Sequence, residues 1–154
     1  MKSVILRYLI KEDKPFVFEL LQNKNVMKFI GPKRRLNDAE VEEWFKEEFN
    51  KPSRFVIASK KSNEFIGMCG VKKIDDKLDF GFYFRECFWK QGIATEACKK
   101  ALKEIKKNHD LSQLHIFIAT HNKGSVALAK KLGWIPIKDV TENEDAGKLY
   151  KVIM

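Results

Sequence analysis

The sequence is poor in cysteine and has no long apolar run, and these two shortages narrow the class of protein. Its three cysteines (Cys69, Cys87 and Cys98) are odd in number and form no Cys-x-x-Cys pair, which argues against a disulfide framework and a structural zinc site. No segment approaches the roughly 18 apolar residues that a membrane-spanning helix needs, and the N-terminus has no secretory signal pattern. We therefore expect a cytoplasmic protein with no membrane anchor and no metal.

Acidic residues are outnumbered by basic ones. The chain has 30 lysines and arginines against 21 aspartates and glutamates, which gives a net charge of +9. Such a charge attracts anionic partners at long range without identifying them. Hydrophobic residues make up 44% of the 154 residues, which is enough for a packed core and argues against a disordered chain. No repeat, linker or low-complexity segment divides the sequence, so we predict one domain over residues 1–154.

Hydrophobic periodicity predicts an α/β (α+β) fold. About seven short runs rich in β-branched and aromatic residues are predicted strands, and about four longer segments with apolar residues three and four apart are predicted helices. The strands cover residues 3–10, 54–60, 64–74, 77–84, 114–119, 134–140 and 148–154, and the helices 11–23, 37–49, 93–108 and 122–132. Asn37 and Glu40 fit a capping box, and Gly133 fits a left-handed helix end. This order predicts a mixed, mostly antiparallel sheet flanked by helices.

The segment that follows the fourth of these strands carries the first indication of chemistry. An aromatic strand ends near Phe84, and a short loop with Gly92 and the small Ala94 leads directly into a helix. The first turn of a helix has free main-chain N–H groups and a partial positive charge, which favour phosphate. The loop matches neither Gly-x-x-x-x-Gly-Lys-Ser/Thr nor Gly-x-Gly-x-x-Gly. On these residues alone, a phosphate site and an ordinary loop are both open.

Four segments together resemble the GNAT superfamily of N-acetyltransferases. Residues 89–97 (WKQGIATEA) are similar to the loop that binds the diphosphate of acetyl-coenzyme A, with the Trp of the ribosomal-protein N-terminal acetyltransferase branch (RimJ and RimL). Residues 121–125 (HNKGS) with 130–134 (KKLGW), 6–13 (LRYLIKED) and 25–32 (NVMKFIGP) resemble the same branch in register. The resemblance covers nearly the whole chain. It implies a GNAT-like fold, acetyl-coenzyme A as co-substrate and direct acetyl transfer to a primary amine.

The resemblance also implies where acetyl-coenzyme A binds. The loop and the start of the next helix would hold its diphosphate, and the preceding strand would pair with its pantetheine amides through Phe82 and Phe84. Asn122 would bind the pantetheine chain. The residues implied for the diphosphate are Trp89, Lys90, Gln91, Gly92, Ile93, Ala94 and Thr95.

Two further residues are candidates for the chemistry. Ser125 would donate a hydrogen bond to the leaving sulfur, because Ala129 stands where many members of the family have a tyrosine. Asp79 aligns with an acidic family position and alternates with Gly81 and Tyr83 on one strand face, with Gly81 leaving room beside it. It would deprotonate the amine through a water molecule. The alternatives are an exposed strand acid for Asp79 and ordinary helix-capping roles for Asn122 and Ser125.

Other reactive side chains have simpler explanations. Glu96, in the first turn of its helix, is expected to compensate the helix dipole. Cys98 falls on a buried helix face with no activating histidine nearby, which argues against an acetyl-cysteine intermediate. His115 and His121 have no metal-ligand spacing.

The acceptor is the least determined part of the prediction. The family binds it between the first two helices and the loop that joins the last two strands, and here that loop (141–147) carries the acids Glu142, Glu144 and Asp145. A ribosomal-protein or other peptide N-terminus is the acceptor implied by the resemblance, with a polyamine or an aminoglycoside as alternatives and a monomer or homodimer as the assembly. A non-catalytic coenzyme A-binding module and, from residues 33–35 (KRR), a basic nucleic-acid-binding domain are the competing classes.

Overall fold

The computed structural model describes residues 3–154, in which strands and helices follow the predicted order. The strands are β1 (Val4–Arg7), β2 (Phe55–Ser59), β3 (Phe65–Ile74), β4 (Lys77–Phe84), β5 (His115–Ala119), β6 (Ile135–Glu142) and β7 (Asp145–Lys151). The α-helices are α1 (Lys14–Leu21), α2 (Lys24–Met27), α3 (Asp38–Asn50), α4 (Ile93–Lys106) and α5 (Lys123–Leu132), and 3-10 turns cover Lys11–Asp13 and Glu86–Phe88.

The predicted α/β fold with its seven strands is confirmed, and the strands divide into two antiparallel sheets. One sheet has the order β1-β2-β3-β4 and the other has the order β5-β7-β6. β4 and β5 are edge strands of different sheets, yet they lie beside each other. A gap between two strand edges therefore lies where the chain passes from one sheet to the other.

The sheet that contains β4 is packed on both faces. In β2, Val56 and Ala58 lie in the core formed with α1, α2 and α3, whereas Ile57 lies in the core formed with α4 and α5. The same alternation divides β4, where Phe80 and Phe84 belong to the α4 side and Tyr83 packs on the α1–α3 side. Successive residues of β4 therefore face two different halves of the molecule.

Local helix signals are confirmed where a side chain satisfies a free main-chain group. The Asn37 side chain accepts a hydrogen bond from Glu40 N at 2.8 Å, and Asn37 N donates one to the Glu40 carboxylate at 2.9 Å. Gly133 ends α5 with a φ of 74°. The predicted helix 11–23 ends at Leu21, and the one-turn helix α2, capped by Asn23, follows it. A single turn is too short to show a hydrophobic period, which is why the sequence did not predict α2.

Candidate active site at the gap between two strand edges

The start of α4 has no side-chain cap. Its N-cap is Gly92, in the left-handed region with a φ of 78°, and no side chain caps the helix. The residues of the first turn are Ile93, Ala94 and Thr95, whose main-chain N–H groups lack partners within the helix. Glu96 does not occupy these groups, because its carboxylate is bonded to Lys100 at 3.1 Å and to Ser3 at 3.3 Å. The free N–H groups and the helix dipole together favour an anion at this point.

Two of the predicted ligand residues, Trp89 and Gln91, hold the loop before α4 in place by donating hydrogen bonds to main-chain carbonyl groups. The Trp89 indole Nε1 donates to Phe84 O at 2.8 Å, and Gln91 Nε2 donates to Cys87 O at 3.0 Å. These side-chain N–H groups therefore position the loop within the chain. Lys90 has a φ of 61°, so a lysine adopts the left-handed conformation that glycine favours. Its side chain is exposed.

Main-chain groups of β4 line one side of the gap. Arg85 N donates to Ile66 O at 2.8 Å on the β3 side, whereas Phe84 O accepts the Trp89 indole N–H. Because main-chain groups alternate along an antiparallel pair, the N–H and C=O groups of Phe82 and Phe84 point away from β3. That direction leads toward β5. An extended molecule with amide groups could pair with this edge as another strand would.

Asn122 and Ser125 lie together at the start of α5. The Asn122 side chain accepts a hydrogen bond from Ser125 N at 3.3 Å and so caps the helix. Both residues are half-buried. Asn122 therefore has the helix-capping role that was the alternative. Because the cap uses only its side-chain oxygen, the Asn122 amide N–H₂ group and the Ser125 hydroxyl stay available to a ligand. Ala129, at the usual tyrosine position, is fully buried.

Asp79 has a partner that the sequence did not predict. The expected alternation is confirmed, since Tyr83 packs on the α1–α3 side and Gly81 faces the same way. The room beside Gly81, however, is filled by the guanidinium of Arg54, which forms an ion pair with the Asp79 carboxylate. Asp79 remains 54% exposed while Arg54 is only 12% exposed. No signal in the sequence could have identified this pair, because it depends on the register of three strands.

The acidic loop predicted over 141–147 is a tight hairpin. β6 and β7 extend to Glu142 and Asp145, so only Asn143 and Glu144 form the turn, with φ values of 47° and 68°. The predicted strands 134–140 and 148–154 were therefore too short on the side of the turn. Residues 141–142 and 145–147 continue the strand pairing, because this part of the sheet is exposed to solvent. β7 also ends earlier, at Lys151.

The three acids of this hairpin have different environments. Asp145 is bonded to Lys33 at 2.9 Å and to His121 at 3.4 Å, and its side chain is only 16% exposed. The hydrogen bond from Lys33 holds the pKa of Asp145 below its usual range, with a smaller contribution from His121. Glu142 and Glu144 are exposed. Asp145 thus joins the hairpin to the segment after α2, and two acids stay open to solvent.

The basic triplet is also partly neutralised within the chain. Lys33 contacts Asp145, and Arg34 forms a two-pronged pair with Glu40 at 2.7 and 2.8 Å. The hydrogen bond from Arg34 lowers the pKa of Glu40 to about 2. These pairs reduce the positive charge that a nucleic acid would meet at residues 33–35.

The cysteines offer no reactive pair. Cys69 and Cys98 are buried with their Sγ atoms 3.9 Å apart, and burial raises the pKa of the Cys69 thiol well above its usual value. Cys87 is exposed. Within residues 3–154, no three His, Cys, Asp or Glu side chains come together as metal ligands. No helix in this range is long and apolar enough to span a membrane.

The sequence also did not predict the polar contacts that attach α1 and α2 to the loop before α4. Arg85 is 6% exposed and donates to Glu19 at 2.8 Å and to Glu64 at 2.6 Å. Next to it, Glu86 accepts hydrogen bonds from Asn23 at 3.0 Å and from Asn25 at 2.9 Å. Residues 85–86 therefore connect α1 and α2, on one face of the sheet, to the loop that leads into α4 on the other face.

Together these features describe an α/β domain in which an uncapped helix start lies next to a strand edge whose main-chain groups point away from their own sheet. Comparison with known proteins agrees with that description. The family described as Acetyltransferase (GNAT) domain matches residues 3–135. The chain therefore belongs to the GNAT acetyltransferase family.

Individual relatives are more distant. The uncharacterized protein YkkB of Bacillus subtilis (strain 168) is 27% identical over 136 residues, which cover 83% of this chain and 79% of YkkB. A domain from Methanocaldococcus jannaschii has a TM-score of 0.77 at 22% identity and covers 100% of both chains. The spermidine N-acetyltransferase of Vibrio cholerae, solved with CoA and spermine, has a TM-score of 0.73 at 21% identity and covers 96% of this chain and 92% of its own. The two structural matches establish the fold, and neither identifies the acceptor of this chain.

Proposed function

We propose that residues 1–154 form one cytoplasmic, acetyl-coenzyme A-dependent N-acetyltransferase domain that transfers the acetyl group directly to a primary amine. The observation that carries this proposal is the uncapped start of α4 beside the gap between β4 and β5. The N–H groups of the first turn, with the ammonium of Lys90, suit a diphosphate. The β4 edge at Phe82 and Phe84 suits the two amides of a pantetheine chain.

Acetyl-coenzyme A supplies an activated acyl group as the co-substrate, and the chain supplies what the transfer needs. A main-chain N–H of β4 that points into the gap can stabilise the charge that develops on the thioester oxygen. The leaving thiolate has a pKa near 8.5, so a single weak donor is sufficient, and the Ser125 hydroxyl fills that role. Asn122 binds the pantetheine through its free amide group.

The amine must be neutral before it can attack, and Asp79 is the proposed general base. Its carboxylate is half exposed on the α1–α3 side of β4, which is the side proposed for the acceptor. One oxygen is engaged by Arg54, and the proton is accepted, through a water molecule, by the other.

A peptide N-terminal α-amine, as on a ribosomal protein, is the acceptor we propose, in line with the resemblance to the RimJ and RimL branch. Its pKa near 8 makes it easier to deprotonate than a lysine side chain, whose pKa is above 10. Because Asp145 is engaged by Lys33, the hairpin offers Glu142 and Glu144 as exposed acids. These two carboxylates can attract a cationic acceptor amine at long range.

The test is a thiol-release assay with acetyl-coenzyme A and three acceptors: a lysine-free peptide with a free N-terminus, spermidine and an aminoglycoside. The same peptide with an acetylated N-terminus is the control. We expect release with the free peptide and not with its blocked form. Thiol release with only spermidine or only the aminoglycoside would show that the acceptor is a small-molecule amine and not a peptide N-terminus. Thermal stabilisation by coenzyme A without release for any amine would instead support a non-catalytic binding module.

The catalytic assignments are tested in the same assay. Asp79→Ala is expected to lower kcat, and Ser125→Ala is expected to lower it by a smaller factor, since water can protonate a thiolate. An unchanged rate and pH profile for Asp79→Ala would show that another group is the base.

A further inference from the structure

Two glycines that face each other across β3 and β4 form a slot in the sheet surface on the α1–α3 side. Gly70 and Gly81 are cross-strand partners. A Cβ atom on Gly81 would lie 2.9 Å from Nη2 and 3.0 Å from Nε of Arg54, and one on Gly70 would lie 3.4 Å from Arg54 Cα. The Arg54 guanidinium therefore occupies the space that the absent side chain of Gly81 leaves, whereas a Cβ atom on Gly70 would first meet the main chain, at 3.2 Å from Phe55 N.

The slot holds the guanidinium where it can orient Asp79. Arg54 Nη2 donates to the Asp79 carboxylate at Oδ2 and, at 3.4 Å, to the Asp79 main-chain carbonyl. A pair between two exposed, flexible side chains would be weak and mobile. Here the cation is 12% exposed and fixed by packing, while the carboxylate is 54% exposed. The fixed guanidinium of Arg54 thus sets the orientation of the exposed Asp79 carboxylate.

We propose that Arg54 is a positioning residue, an inference that rests on the proposed function. It holds Oδ2 of Asp79 so that Oδ1, the second carboxylate oxygen, is directed toward the acceptor amine. When the acceptor ammonium loses its proton, the N–H bond breaks and the proton passes to Asp79 Oδ1 through the water molecule. The Oδ2 atom stays on Arg54 throughout. Arg54 touches neither the amine nor the thioester and acts only through Asp79.

A double-mutant cycle tests this dependence, with thiol release as the assay and the variants Arg54→Met, Asp79→Asn and the two combined. Arg54→Met is expected to lower kcat at least tenfold and to leave the KM for acetyl-coenzyme A within about twofold. In the Asp79→Asn background the same substitution is expected to change kcat by less than about twofold. Arg54→Lys, which keeps a cation within reach of Oδ2, is expected to recover kcat to within about threefold. Lys148→Met, which removes a lysine from an exposed pair with Asp139, is the matched control.

A structural role gives a different pattern. If Arg54→Met lowers kcat by the same factor with and without Asp79, or leaves kcat unchanged, Arg54 does not act through the base and the proposal is overturned. Should Arg54→Met not fold, Gly81→Ala replaces it in the cycle, because the added Cβ displaces the guanidinium. Gly81→Ala is then expected to lower kcat in the wild type and to leave kcat unchanged in the Asp79→Asn background.

A measurement without turnover separates this proposal from the proposed function. Nitrogen NMR of the arginine side chains should show slow rotation of the Arg54 guanidinium in the wild type and a shifted Nη2 resonance in Asp79→Asn. Fast rotation in the wild type, or an Nη2 resonance that Asp79→Asn leaves unchanged, overturns the positioning contact even if the enzyme is active. Slow rotation in a wild type that releases no thiol with any amine overturns the proposed function and, with it, the catalytic purpose of the pair.

Discussion

Lys90 allows the charge of the diphosphate loop to be tested apart from its shape. Lys90→Ala and Lys90→Gly both remove the ammonium, but only glycine adopts a φ of 61° without strain. An L-residue in this region costs about 1 kcal/mol relative to glycine. In a domain of this size, 1 kcal/mol corresponds to about 3 °C in Tm. We therefore expect Lys90→Gly to unfold about 3 °C above Lys90→Ala in a thermal melt.

Coenzyme A affinity should respond to the charge alone. One exposed ammonium beside a diphosphate contributes about 1 kcal/mol at low salt, which is about fivefold in Kd. Calorimetric titration should show both variants binding coenzyme A about fivefold more weakly than the wild type, with the difference shrinking at high salt. Wild-type affinity in Lys90→Ala at low salt would refute the placement of the diphosphate at this loop. A large difference in affinity between the two variants would show that backbone shape, and not charge, is what Lys90 contributes.

Three other changes test the contacts around the site and the fold. Trp89→Phe removes the hydrogen bond to Phe84 O, worth about 1 kcal/mol, and should raise the KM for acetyl-coenzyme A a few-fold with little change in kcat. Arg85→Met should lower the free energy of unfolding by about 2 kcal/mol in urea, because charged hydrogen bonds are lost but both glutamate partners can be solvated. The folded-state pKa of Glu40 near 2 lies below its ordinary 4.5, so its pair with Arg34 stabilises the fold above pH 4.5 and loses this effect as pH falls toward 2. Urea unfolding of Glu40→Gln should accordingly differ most from wild type at neutral pH and least near pH 2.

Signals that act within a few residues were predicted correctly from the sequence. The capping box of Asn37 and Glu40 and the left-handed Gly133 depend on one turn of chain, and both are present. The side of β4 that carries Asp79 and Tyr83 follows from a period of two. The free start of α4 follows from a glycine at the N-cap, since glycine has no side chain with which to cap a helix.

Features that depend on strand register were not predicted. The Arg54–Asp79 pair joins residues 25 positions apart across three strands, and a sequence does not state which residues lie opposite each other. The hairpin turn at Asn143 and Glu144 contains no glycine, although both residues have positive φ, so its polar flanks resembled a long loop.

Strand β4 presents functional groups in two directions. Its free main-chain groups point into the gap, and alternate side chains point to the α1–α3 face of the sheet. Its main-chain edge at Phe82 and Phe84 lies open to the gap and is closed at the end by the Trp89 indole. Its α1–α3 face presents Asp79, which is held by Arg54, the residue just before β2. In the proposed reaction the thioester lies along the edge and the amine approaches from the face, so the two substrates need no common pocket. They meet because a single strand presents a free edge to one and a fixed carboxylate to the other.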